Sequence, residues 1–216
     1  VKVTPEVPLE KACLIGCGVT TGFGAAVRTA KVPVGATVCV IGCGGIGLSA
    51  VQGARVAGAG RIIAVDMSAE KLDTARLMGA TDTVNASEVD DVVTAVRDMT
   101  SGGVEYSFEA IGLKQTAEQA FEMLEMGGTA TVIGMVPSNT KLEIRGIDLL
   151  SEKKLQGSMM GSNQFRTDIP QMIDLYLTGR LLLDEMVSAT IDLEQVNEGY
   201  EWMKAGTIAR TVITFD

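Results

Sequence analysis

The sequence of 216 residues contains no histidine. Acid–base catalysis and metal ligation by imidazole are therefore closed to it. Cysteine is scarce: Cys13, Cys17, Cys39 and Cys43 are the full set. None falls into the paired C-x-x-C spacing of a structural zinc site, so buried reduced thiols are the default reading. No apolar run in the pattern approaches the ~20 residues of a membrane span, and no signal peptide is expected at the start. Basic residues are in the minority, 18 Lys and Arg against 27 Asp and Glu, for a net charge of −9. That balance disfavours nucleic acid and anionic membrane surfaces as partners. These absences point to the cytoplasm and make Asn85-Ala86-Ser87 a chance match to the glycosylation pattern. The opening is Val1 rather than Met, and the Pro-punctuated Thr4-Pro5-Glu6-Val7-Pro8 reads as the interior of something longer.

Glycine is abundant, with 25 residues, which suits a fold with many tight strand–helix turns rather than a helical bundle. Thr37–Ile41 and Arg61–Val65 read as buried strands, short, β-branched and almost uncharged. Ile46–Ala57 reads as a helix closed by Gly58 and Gly60. A second helix runs from the Ser68 cap to Met78, with Gly79 just past its end. Further strands are expected at Thr83-Val84, Val104–Phe108 and Thr129–Ile133, with helices at Val89–Met99 and Gln115–Met126. Strands alternating with such helices imply βαβ crossovers and an α/β, doubly wound parallel sheet. After Pro137 the rhythm changes. Lys141–Ile144 and Leu155–Met159 read as candidate rim strands, Ile169–Thr178 and Leu193–Met203 as helices, and Val187–Ile191 and Thr211–Phe215 as strands.

The densest chemical signal is Gly42-Cys43-Gly44-Gly45-Ile46-Gly47. A G-x-G-x-x-G run alone is weak, but this one sits between a buried strand and a helix, the context a dinucleotide turn requires. Gly42 permits the tight turn, Gly44 lets the backbone approach a pyrophosphate, and Gly47 lets the helix lie close on the strand. The helix N-terminus then offers unpaired N–H groups and a partial positive charge to phosphate. Asp66 ends the second strand about twenty residues beyond Gly47, the position of a ribose-binding acid. A carboxylate there accepts from both ribose hydroxyls and repels a 2′-phosphate, which selects NAD over NADP; the bland alternative is a helix cap. Methyltransferases that bind S-adenosylmethionine share a glycine turn and an acidic strand end, so the pair alone leaves them open.

The stretch Leu9-Glu10-Lys11-Ala12-Cys13-Leu14-Ile15-Gly16-Cys17-Gly18-Val19-Thr20-Thr21-Gly22-Phe23-Gly24 resembles the zinc-dependent medium-chain alcohol dehydrogenases, especially their glutathione-dependent formaldehyde dehydrogenase branch. The similarity continues through Gly42–Gly47, Arg61–Asp66, Gly102–Glu109 and Ile208–Phe215. It covers the whole sequence, but only the second part of such an enzyme. The resemblance implies that Cys17 ligates a catalytic zinc, that Thr21 faces the nicotinamide and that Ile46 packs behind that ring. It further implies Asp66 at the ribose, Lys71 beside it and Arg210 at the pyrophosphate. Lys71 reads equally well as a solvated charge; Arg210 has the same bland reading, but its place before a final apolar strand in the family's pattern favours the contact. Cys17, flanked by glycines, also reads as a small buried residue. A catalytic zinc needs three protein ligands, and the family's other cysteine and histidine belong to an N-terminal lobe.

These readings divide the sequence into a catalytic-domain remnant (1–18), a Rossmann NAD-binding domain (19–161) and a return to a GroES-like catalytic domain (162–216). The expected function is hydride transfer between an alcohol or hydroxymethyl adduct and NAD, with Zn2+ in the intact enzyme. Taken alone, the sequence is expected to hold no stoichiometric zinc and to be inactive. A non-catalytic NAD-binding module and a zinc-free medium-chain reductase are the alternatives. The resemblance also implies a homodimer through a rim strand at Leu155–Met160.

Overall fold

The computed structural model describes every residue except Gly206, Thr207, Ala209 and Asp216. Six strands form its main sheet: β1 (Thr37–Ile41), β2 (Arg61–Asp66), β3 (Asp82–Asn85), β4 (Val104–Glu109), β5 (Leu124–Val132) and β6 (Lys154–Gly157). They lie in the order β3-β2-β1-β4-β5-β6, and every neighbouring pair is parallel. The order reverses between β1 and β4, which makes this a doubly wound α/β sheet with a topological switch point. Ligands of such sheets bind beyond the carboxyl ends of the strands at that point.

Helices cover both faces: α1 (Leu9–Thr29), α2 (Gly45–Ala57), α3 (Ala69–Met78), α4 (Val92–Met99), α5 (Lys114–Glu122), α6 (Phe165–Leu177) and α7 (Val196–Ala205). The alternation of β1 divides its apolar side chains between two cores. Val38 and Val40 pack with Val19, Leu48 and Met172 on one face. Cys39 and Ile41 pack with Val96 and Phe121 on the other. A parallel sheet buried on both faces needs this uninterrupted apolar run in its central strands.

Local signals set the helix ends. The Ser68 hydroxyl accepts from Lys71 N at 3.4 Å, Asp91 caps α4 by accepting from Thr94 N at 2.6 Å, and Gly58 and Gly79 close α2 and α3 in the left-handed conformation. Three expectations need correction. The helix expected over Gln115–Met126 ends at Glu122, because Leu124 leaves it to pair with Val104 in the sheet. Arg97 donates to the freed carbonyls of Glu122 and Leu124. Lys141–Ile144 forms no strand: Glu143 N donates to Glu118 Oε1 at 2.7 Å and its carboxylate pairs with Lys114, which ties the segment to α5. Finally, α1 is a helix of 21 residues, long and apolar enough by length and composition to cross a membrane. Val19, Ala25 and Ala26 are wholly buried within the core, so it is the inner helix of this fold.

Two glycines bring α1 against α2. A side-chain carbon on Gly22 would lie 2.0 Å from the Ile46 carbonyl oxygen, and one on Gly53 would lie 2.8 Å from that of Phe23. The turns Ile15–Val19 and Ala25–Thr29 of α1 are π-wound, and the helix runs unbroken through Gly18 and Val19, where the sequence reading begins the cofactor domain. Two polar ties join this pair to the C-terminal segment. Arg28 donates to the buried Asp168 at 2.5 Å, and Gln52 carries both main-chain bonds of Leu182, at 2.9 and 2.7 Å. Beyond α6, β7 (Ala189–Ile191) and β8 (Thr211–Ile213) pair in parallel as a separate small sheet.

Candidate functional site

The glycine turn lies at the carboxyl end of β1, on the switch point. Gly42 turns the chain with a φ of 94°, its N–H donating to Val65 O at 2.8 Å. Gly47 permits closure: a side-chain carbon there would stand 1.7 Å from the Gly42 carbonyl oxygen. Gly44 behaves differently. It is the N-cap of α2, and a carbon added to it would meet nothing within 4 Å. The middle glycine therefore faces open space in front of a helix N-terminus, while the outer two are packed.

Asp66 ends β2 beside this turn. Its Oδ2 accepts from Cys43 N at 2.7 Å and its Oδ1 from Ser68 N at 3.0 Å, so one carboxylate joins the glycine turn to the start of α3. It remains partly exposed, with lone pairs left for a ligand hydroxyl. Lys71 stands in the first turn of α3, near enough for its charge to act on the Cys43 thiol. That thiol and the one on Cys39 are pushed up by burial, as expected of inert core cysteines.

Arg210 arrives from the far end of the sequence. Its guanidinium packs on two glycines: an added carbon would lie 2.1 Å from its Nε at Gly45 and 2.2 Å from an Nη at Gly18. Its backbone is held by Ser188, whose N–H donates to Arg210 O at 2.8 Å. No described carboxylate pairs with the guanidinium. A cation is thus placed against the positive end of α2, an arrangement disfavoured by about 0.3–1 kcal/mol until an anion sits between them.

The structure also gathers the α1 residues here. Gly18 touches Arg210, and Gly22 touches Ile46 in the first turn of α2. Thr21 is buried, with Oγ1 3.7 Å from the Met160 sulfur. Cys17 and Cys13 are exposed on the same helix, and burial of part of its surface pushes the Cys13 thiol up. Among the described residues no group of three or more His, Cys, Asp or Glu side chains could hold a metal ion. Zinc therefore does not fit the described residues by themselves. A dinucleotide does fit: Gly44 is open, the α2 N–H groups are free of side-chain caps, and Arg210 and Asp66 flank them. Sequence reasoning overlooked the contact from Met160 to Thr21 and the hydrogen-bond network of Glu109. The only signal for the latter was an acid at the very end of a strand whose preceding residues, Ser107 and Phe108, are buried.

Residues 45–178 match the zinc-binding dehydrogenase family. The chain is 40% identical to an alcohol dehydrogenase class-3 of Cereibacter sphaeroides, over 99% of this chain and 59% of that protein. It superposes with a TM-score of 0.96 on a protein from Burkholderia ambifaria described as an alcohol dehydrogenase zinc-binding domain protein, at 37% identity, covering 100% of this chain and 58% of that one. A zinc-binding dehydrogenase of Sinorhizobium meliloti, solved with NADP bound, matches at 30% identity and a TM-score of 0.83, over 92% of this chain and 58% of that one. The chain spans about three-fifths of the length of each of these relatives.

Proposed function

The chain belongs to the zinc-binding dehydrogenase family, and from that premise we propose that it is the NAD(H)-binding part of an alcohol dehydrogenase acting on a small alcohol, aldehyde or hydroxymethyl adduct. The observation that carries this reading is the Arg210 cation, paired with no described carboxylate, beside the N-terminus of α2, with Gly44 open between them and the turn. A pyrophosphate there relieves the repulsion and receives charge-assisted hydrogen bonds. Gly42, Gly45 and Gly47 shape the cradle, and Asp66 takes the adenosine ribose with Lys71 beside it. Thr21 and Ile46 bound the nicotinamide. NAD, when bound, supplies the hydride acceptor; the residues of this chain bind and orient it. Cys17 contributes one thiolate to a zinc site that other residues of the whole enzyme complete.

Asp66 gives the cofactor choice. A 2′-phosphate would meet a carboxylate already committed to two backbone N–H groups. NADH is expected to bind at least about tenfold more tightly than NADPH, a difference of about 1.4 kcal/mol. Fluorescence titration with both cofactors tests this, and equal affinities would refute the role of Asp66. The NADP-bound relative makes the comparison a demanding one.

The assembly reading is a homodimer in the cytoplasm. The strand β6 lies at the rim of the sheet, and the segments flanking it expose Ile147, Leu149, Leu150 and Met159. An unpaired apolar rim is a template for a second copy. Light scattering is expected to give a two-fold dimer; a concentration-independent monomer would remove this part of the proposal.

A further inference from the structure

The carboxyl ends of β4 and β5 carry a buried acid that the nucleotide reading leaves without a task. Glu109 is fully excluded from solvent. Its Oε1 accepts from Ile111 N at 2.9 Å, Gly112 N at 2.7 Å and Thr116 Oγ1 at 2.8 Å. Its Oε2 is buried without a partner among the described residues. Its main-chain carbonyl accepts from Ile133 N at 2.8 Å and Gly134 N at 3.0 Å. One residue therefore anchors two turns, residues 110–112 after β4 and residues 133–135 after β5.

Those turns interlock. A side-chain carbon on Gly134 would lie 2.1 Å from Gly112 N and 2.6 Å from Glu109 Oε2, and one on Gly112 (φ 96°) would lie 2.8 Å from Met135 N. The first turn also reaches the glycine loop, since a carbon on Gly42 would lie 2.5 Å from the Ile111 side chain. A half-satisfied buried acid is a poor stabiliser, and an apolar side chain would pack a strand end better. Its location suggests what it does instead. Asp66 sets the adenosine half of a dinucleotide on the β1–β2 side, so the other half crosses the switch point toward β4 and β5.

We propose that Glu109 is a positioning residue for the nicotinamide end of the cofactor, holding the turns 110–112 and 133–135 in the geometry that receives the ring. It touches no ligand, and it acts through the backbone of Ile111, Gly112, Ile133 and Gly134. The role rests on the NAD(H) reading, so its test pairs NADH with ADP-ribose, which lacks the nicotinamide. In Glu109→Ala, NADH affinity is expected to fall about tenfold or more, because displacement of a contact surface by an ångström has effects of that size. ADP-ribose affinity changes by less than about threefold, and the emission of bound NADH shifts toward that of free NADH. Glu109→Gln keeps an Oε1 acceptor and restores NADH to within about threefold of the wild type. Should Glu109→Ala not fold, Thr116→Val removes one of the three donors and shows the same split at smaller size. Equal losses of both ligands, no loss, or no recovery with glutamine would overturn the positioning role and leave the NAD(H) reading standing. A wild-type chain that binds neither ligand would overturn both.

Discussion

Two glycine-lined junctions stand side by side at the carboxyl ends of the sheet, and they are built on opposite plans. At the end of β1, Gly42 and Gly47 are packed against each other but Gly44 faces empty space. At the ends of β4 and β5, Gly112 and Gly134 each press on backbone of the other turn, and neither is open. A missing side chain in the first junction admits a ligand; in the second it admits only more protein. What a β-carbon would meet thus separates a glycine that serves binding from one that serves packing, which the one-letter code alone does not do.

The largest effects should come from the packed glycines. Gly47→Ala places a carbon 1.7 Å from a carbonyl oxygen, and Gly134→Ala places one 2.1 Å from an amide nitrogen. The obstacles are backbone and cannot rotate away, so each is expected to cost about 3 kcal/mol, the upper end of ordinary overpacking. Thermal denaturation measures it, and a native-like Tm in either variant would show the comparison to be wrongly drawn. Gly44→Ala should invert the pattern. Stability falls by at most about 1 kcal/mol, through a poorer N-cap, while NADH affinity drops about tenfold; a calorimetric titration giving unchanged affinity would break the distinction.

Asp66→Ser should have a smaller effect, since serine keeps one acceptor for the Cys43 or Ser68 N–H. The preference for NADH over NADPH narrows, by less than about tenfold, and a preference that stays unchanged would place discrimination elsewhere. The smallest effect is expected at Gly16, exposed inside α1 with nothing within 4 Å of an added carbon. Gly16→Ala should raise stability by about 0.5–1 kcal/mol, because alanine favours helix and restricts the unfolded chain. A lowered Tm would mean that the π-wound turn needs glycine there.

The same contrast explains what could be read before the structure was known. The strands β1 and β2, the turn between Gly42 and Gly47, the Ser68 cap and the two glycine C-caps are local devices. Each depends on residues a few positions apart, and each lies where the sequence put it. Arg210 and α1 required more. Nothing local to Arg210 reveals that Gly18 and Gly45 leave room for its guanidinium, and only the resemblance brought it to the site. The network of Glu109 was not legible, because its partners include backbone N–H groups of two turns separated in sequence by α5 and β5. The early end of α5 was missed for a related reason. Gln115–Met126 has helical propensity throughout, but the pairing of Leu124 with Val104 overrides it.

The ties that fix α1 and α2 have a bearing on how the molecule comes into being. The main sheet is complete once Gly157 has been made. Yet Thr21 waits for Met160, Arg28 for Asp168 and Gln52 for Leu182, partners more than a hundred residues downstream. During synthesis, at about 5–20 residues per second, a nascent chain that already owns its sheet carries an apolar helix whose cover is still inside the ribosome. Contacts of such sequence separation slow folding and leave a sticky intermediate for chaperones to shield. A cut made just after β6, where the sheet ends, would make that interval permanent.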